Sequence, residues 1–291
     1  MRSWLLVPAD KDKAMAEAAT AGAHVVVLDL ARAASEERKQ HTRLAARDFL
    51  MSHREQLVAA RKFARWVRVG PIVGMEWRQD LAAALEGGPD GVVLAECSGP
   101  EQVKELAAAL YEIEGRVGVK TGSTRIVPEV GGSAAASLQL RSFTEELHPR
   151  VSGLLWDSAG LARSIGARRM RGPGGLWTDA LAHVRAQVLL MAHAQGLGAL
   201  EAPFRNLREP EGMQRAAQAA AADGFTGMVA ISDMQVADIN TAFRPTQEDV
   251  AEAREIVGVF ALNPHAERIA FRGRYIGQAE LAKAKVLTGE G

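Results

Sequence analysis

The sequence predicts a closed (β/α)8 barrel. Two observations carry that prediction: short apolar runs alternate with longer amphipathic segments, and eight such runs fit into roughly 240 residues. Each run is largely apolar on both faces, as strands of a covered parallel sheet are. An open, doubly wound sheet is the competing architecture for the same alternation.

Residues 4–7 form the first strand expected, followed by a helix over 11–21. The β-branched run 24–29 is the second strand and 36–49 its helix; 66–69 and 75–86 form the third unit. Gly87-Gly88-Pro89-Asp90 then breaks the chain ahead of a strand at 91–94 and a helix at 101–113. Strands at 125–127 and 153–156 flank a helix at 133–141. The turn Gly172-Pro173-Gly174-Gly175 precedes a helix at 179–195, and strand 200–202 leads to a helix at 211–223. Asp223-Gly224 introduces the last barrel strand, 228–231. Beyond about residue 245 the pattern exceeds what a barrel needs. A helix at 247–261, a hairpin at 269–276 and a helix at 279–287 make an extension expected to cap the barrel or reach a neighbouring subunit.

The 35 Lys and Arg balance the 35 Asp and Glu among 291 residues, which argues against a nucleic-acid binder. An apolar fraction of 47% and a charged fraction of 24% are ordinary for a globular chain and argue against disorder. The opening run before Pro8 is too short for a signal peptide. No apolar run reaches the roughly 18 residues that a membrane span requires. A cytoplasmic protein is the expectation. The single cysteine, Cys97, rules out an intrachain disulfide and a cysteine zinc site, and reads as a buried thiol in a reducing compartment.

Generic motifs are absent: no G-x-G-x-x-G, no phosphate-binding Walker loop, no G-x-S-x-G elbow, and no pair among the 7 histidines at helical metal spacing. A barrel nevertheless locates its site at the C-terminal strand ends. The polar residues there are Asp10, Asp29, Arg68, Glu96, Glu129, Ser133, Asp157, Glu201, Ser232 and Asp233. Arg68 has the chemistry to clamp a carboxylate bidentately, or to pair with a structural acid. Asp29 reads as a site residue or a buried cap.

At these strand ends the chain resembles the citrate lyase β-subunit-like family of carbon–carbon lyases, in the phosphoenolpyruvate-binding barrel superfamily. Arg2-Ser3-Trp4-Leu5-Leu6-Val7-Pro8 is similar to the family's R-S-x-L-x-V-P-G opening, and Val67-Arg68-Val69-Gly70-Pro71 to its V-R-V-N-P. Ala23-His24-Val25-Val26-Val27-Leu28-Asp29-Leu30, Pro89-Asp90-Gly91-Val92-Val93-Leu94 and Phe243-Arg244-Pro245-Thr246 also fit. The resemblance implies a barrel assembled as trimers or hexamers that acts on β-hydroxyacyl thioesters such as malyl, citramalyl or citryl groups. It further implies magnesium held by a Glu and an Asp, with an arginine, here Arg68, on the keto-acid carboxylate.

The departures fall on the chemistry. The family's L-D-L-E-D is Leu28-Asp29-Leu30-Ala31-Arg32 here. By the same alignment its magnesium ligands fall at Gly132 and Gly160, its K-L-A-I-H-P at residues 228–233, and a C-terminal Asp at Gly277. Two glycines cannot hold magnesium. Glu129 and Asp157, each three residues before a lost ligand, are the candidate catalytic acids and a possible relocated metal pair. Arg68, Gly132, Ser133 and Asp29 are the candidate substrate-binding residues, with glycine N–H groups available to an anion. Three readings follow: a divergent lyase with an atypical site, a catalytically silent homologue that binds a carboxylate or thioester or acts as a scaffold subunit, and metal-free chemistry with Glu129, Asp157 or Asp233 as base.

Overall fold

The computed structural model describes residues 1–32, 36–54 and 62–289. The chain divides into two compact units, Met1–Phe243 and Arg244–Gly291.

In the first unit, β1 (Ser3–Pro8), β2 (Val25–Asp29), β3 (Ala64–Val69), β4 (Gly91–Cys97), β5 (Arg125–Val130), β6 (Gly153–Trp156), β7 (Gly198–Glu201) and β8 (Gly227–Ala230) pair in sequence order. All are parallel, and β8 closes on β1 with Met228 opposite Ser3. This is the (β/α)8 barrel. Each of the eight expected strands is present, with ends displaced by up to three residues.

The helices are α1 (Asp12–Ala18), α2 (Glu36–Ser52), α3 (Glu76–Glu86), α4 (Pro100–Val117), α5 (Ala134–Leu138), α6 (Ser142–Glu145), α7 (Ser158–Ser164), α8 (Asp179–Ala194), α9 (Pro210–Ala222) and α10 (Val236–Ala242). The helix expected at 133–141 is instead the short pair α5 and α6, with Ser133 capping the first through its Oγ on the Ala136 N–H (3.1 Å). α7 and α10 were not anticipated. Each has seven residues, too short for apolar periodicity to declare itself.

Two apolar layers follow from the strand pleat. Outward residues such as Val26, Leu28, Val67, Val92, Leu94 and Ile126 pack against the helices. Inward residues Trp4, Val25, Val27, Trp66, Val93, Val127, Leu155, Leu200 and Val229 fill the barrel. Trp4 and Trp66 meet edge to face there at 4.8 Å. Gly91 is what admits the Trp66 ring, because a Cβ at that position would lie 2.5 Å from it. Continuing the same alternation, Val25–Val27–Asp29, Trp66–Arg68, Val127–Glu129 and Leu155–Asp157 each carry the inward face up to a charged residue. The barrel's top layer is therefore ionic.

Lower on the wall, the buried Glu114 of α4 accepts two bonds from Arg150 (2.8 and 2.7 Å) and the N–H groups of Gly122 and Thr124. Against the opposing effect of burial, these hold its carboxyl at about 2.

The second unit comprises α11 (Gln247–Leu262), the antiparallel β9 (Arg268–Phe271) and β10 (Arg274–Gly277), and α12 (Gln278–Thr288). Its core is Ala253, Ile256, Phe260, Phe271, Ile276 and Ala284. Thr246 and Asp249 form a reciprocal capping box at the start of α11. No helix among the described residues is long and apolar enough to cross a membrane.

Candidate active site

Asp29 and Arg68 lie opposite each other in the β2–β3 register, both pointing inward. Arg68 donates from Nε and Nη2 to Glu129 Oε2 (3.1 and 2.6 Å) and from Nη1 to Asp29 Oδ1 (3.1 Å). Asp29 also accepts from the Ala31 N–H (3.1 Å) and pairs with Arg32 Nε at 3.5 Å. Two acids thus surround the guanidinium that the sequence marks as a carboxylate clamp. Burial works against the charge on Arg68, but Glu129 and Asp29 outweigh it and raise its pKa. Burial pushes the Glu129 carboxyl above its usual range; Arg68 pulls the other way and the neighbouring Asp157 adds to the rise.

Asp157 follows β6 and caps α7, accepting the Gly160 N–H on Oδ1 at 2.8 Å. Its Oδ2 lies where a side chain would have to stand at either of the two glycines that the resemblance aligns with magnesium ligands. A Cβ on Gly132 would come within 2.8 Å of that oxygen, and one on Gly160 within 2.1 Å of it and 2.7 Å of the Gly132 carbonyl oxygen. The glycines at 132 and 160 therefore make room for Asp157, rather than opening an anion site through their N–H groups, since the Gly160 N–H is already occupied. No group of three or more His, Cys, Asp or Glu converges on a metal position among the described residues. Glu129 is engaged by Arg68 and Asp157 Oδ1 by its cap, so a magnesium ion held by these two carboxylates would have to compete with Arg68 for Glu129.

A cavity of about 170 Å³ opens above this layer. Leu6, Val27, Val93, Leu155 and Val229 form its apolar floor, and Arg68, Glu129, Asp157, Glu96, Arg32, Arg163 and Arg205 its charged walls. Of the sequence-designated residues, Arg68, Glu129 and Asp157 share this wall. Asp29 sits buried behind Arg68, while Gly132 and Ser133 do not line the cavity. Glu96 holds a left-handed backbone (φ 51°) at the point where the β4–β5 register shifts between Leu94 and Cys97. Such strain in a non-glycine residue at a site wall costs about 1–3 kcal/mol. Cys97 beside it points into the outer core, and burial pushes its thiol up to about 12, so it is inert.

Sequence reasoning missed the arginines. Arg205 lies four residues past Glu201 in the loop after β7, and Arg163 is on α7, three residues past Gly160. Attention to basic as well as acidic residues in the loops beyond the strands would have found Arg205. Arg163 required knowledge of the unanticipated helix. Arg205 also borders a second cavity of about 950 Å³, walled by Arg171, Trp177, Arg185, Glu201 and Phe204, and with Pro203 it belongs to both. On that wall Arg171 stacks on Trp177 at 3.7 Å, and Trp177 meets Trp156 edge to face at 4.8 Å.

The model of the HpcH/HpaI aldolase/citrate lyase family matches residues 2–233. A citrate lyase subunit beta-like protein of Mycobacterium tuberculosis is 28% identical over 284 residues, 98% of this chain and 93% of its own length. An L-malyl-CoA/beta-methylmalyl-CoA lyase of Rhodobacter capsulatus is 26% identical over 239 residues, covering 76% of this chain and 74% of that one. The crystal structure of CitE from M. tuberculosis in complex with magnesium, acetoacetate and coenzyme A superposes with a TM-score of 0.69 at 27% identity, covering 99% of this chain and 98% of that one.

Proposed function

From the premise that the chain belongs to the HpcH/HpaI aldolase/citrate lyase family, we propose that it is a divergent carbon–carbon lyase acting on a small β-hydroxyacyl thioester or keto acid at the barrel mouth. The observation that carries this reading is the pair of inward carboxyls, Glu129 and Asp157, on the wall of one cavity, with Arg68 fixing the first.

In this mechanism Asp157 takes the proton from the substrate β-hydroxyl. The bond between the α and β carbons breaks, leaving a keto acid, and its electron pair passes to the thioester as an enolate. Glu129, whose carboxyl burial lifts above its usual range against the pull of Arg68, gives a proton to the enolate carbon and regains, through solvent, the one that Asp157 took. The ~950 Å³ cavity next to the mouth is wide enough for the arm that carries a thioester, and the citrate lyase and malyl-CoA lyase relatives support that substrate class. A second unit that contacts a neighbouring copy, in a trimer or hexamer, belongs to the same reading.

The test is turnover of malyl, citramalyl and citryl thioesters, with and without magnesium or manganese. Cleavage of one of them, falling about 10²-fold or more in Glu129→Gln, is expected. No turnover with any of them overturns the lyase reading in favour of a silent homologue that binds without cleaving. The seating of the Asp157 carboxylate in the space of the lost ligands is what favours that alternative.

A further inference from the structure

Charge at the mouth sorts into a paired set and an unpaired one. Arg68 and Arg32 are matched by Glu129 and Asp29. Arg163 and Arg205 form no ion pair among the described residues, yet both line the ~170 Å³ cavity. Arg205 and Arg163 are both exposed at the mouth; partial desolvation and the neighbouring Arg32 and Arg163 lower the Arg205 pKa, and Asp157 and Glu129 only partly offset this. The nearest acids cannot turn to meet it without loss, because Glu129 is held by two bonds from Arg68 and Asp157 by its cap on α7.

We infer that Arg205, with Arg163, is the anion receptor of this site and takes the place of a divalent cation, so that the mouth binds a small dicarboxylate without metal. The inference rests on the lyase-family reading for the location of the ligand and deepens it by naming the ligand's charge. Glu96 and Asp157 on the same wall form no ion pair among the described residues either, so the wall is balanced in charge. Arg163 and Arg205 differ in being exposed and held by no carboxylate, so each can take one carboxylate of a ligand whose short carbon chain rests on the apolar floor of Leu6, Val27, Val93, Leu155 and Val229. Arg68 positions Glu129 and is not the clamp. Since Arg205 borders both cavities, one carboxylate lies at their junction, where a ligand's head in the small cavity would meet its tail in the large one.

Calorimetric titration with oxaloacetate and with pyruvate, which differ by one carboxylate, is the test, each run in chelator and again in excess magnesium. Oxaloacetate is expected to bind equally in both and about tenfold or more tighter than pyruvate. Arg205→Gln and Arg163→Gln should each weaken it about 10- to 100-fold, the range of a lost hydrogen bond to a charged group. Arg205→Lys should restore part of the loss. Neither position is packed in the core, so both variants fold, which unchanged thermal unfolding without ligand checks.

Binding that requires magnesium, binding indifferent to Arg205→Gln, or no binding of oxaloacetate overturns the inference. Thioester cleavage that survives Arg205→Gln and needs magnesium leaves the lyase reading standing without it. Metal-free oxaloacetate binding that depends on Arg205, with no thioester cleaved, does the reverse.

Discussion

Replacing Gly160 by alanine sets two rules against each other. Gly160 is inside α7, where alanine is preferred over glycine by about 1 kcal/mol, so helix propensity predicts a gain in stability. The geometry predicts a loss. The added Cβ would stand 2.1 Å from Asp157 Oδ2 and 2.7 Å from the Gly132 carbonyl oxygen, and real Cβ atoms do not approach other atoms so closely. Either the carboxylate swings away, giving up its cap on the Gly160 N–H at about 0.5–2 kcal/mol, or the turn is forced apart at about 1–3 kcal/mol. Set against the propensity gain, the net expectation is a destabilisation of about 1 kcal/mol. At about 2–4 °C per kcal/mol for a barrel of this size, that lowers Tm by about 2–4 °C. Thermal unfolding of ligand-free protein, followed by far-ultraviolet circular dichroism, measures it. Repeating the change in an Asp157→Ala background isolates the cause: with the carboxylate gone, the cost should shrink by about 1 kcal/mol or more. A stabilised Gly160→Ala protein, or one destabilised equally in both backgrounds, refutes the placement of Asp157 in the lost-ligand space.

Two further expectations concern the barrel wall. Arg150→Met leaves Glu114 buried without its partner and should cost about 3–5 kcal/mol in urea unfolding. Because the folded Glu114 carboxyl is held at about 2, below its ordinary 4.5, its contribution is complete above about pH 4.5 and is lost as pH falls toward 2. Glu114→Gln should therefore flatten the acid limb of stability between those values, and an unchanged limb would assign it to other carboxylates. Cys97, with its thiol at about 12, should resist a thiol reagent at pH 8 in the native protein and react fully in guanidinium; rapid native labelling would contradict its burial.

The barrel was legible because its signal is repeated. Eight apolar runs separated by longer helical stretches tolerate errors of up to three residues at their ends without changing the topology. The position of Asp29, Arg68 and Glu129 at the C-terminal strand ends was equally readable, since each closes an apolar run. What Arg68 does there was not. Its two partners lie 39 and 61 residues away in sequence, and only closure of the barrel brings three strand ends onto one guanidinium. The glycines misled for a different reason. A missing side chain reads in sequence as open space, whereas here the Asp157 carboxylate fills it from the next turn. α7 was invisible because seven residues present no period, and Arg163 went unseen with it.

The two edge-to-face tryptophan pairs, both at 4.8 Å, give the protein two separate optical signatures. Trp4 and Trp66 are locked among the inward-facing residues and keep their relative orientation for as long as the strands stay joined. Trp156 and Trp177 couple a buried ring to one on the wall of the large cavity, where a ligand's tail would displace Trp177 or stack against it. The near-ultraviolet dichroism of one pair thus tracks closure of the barrel, and that of the other tracks occupancy.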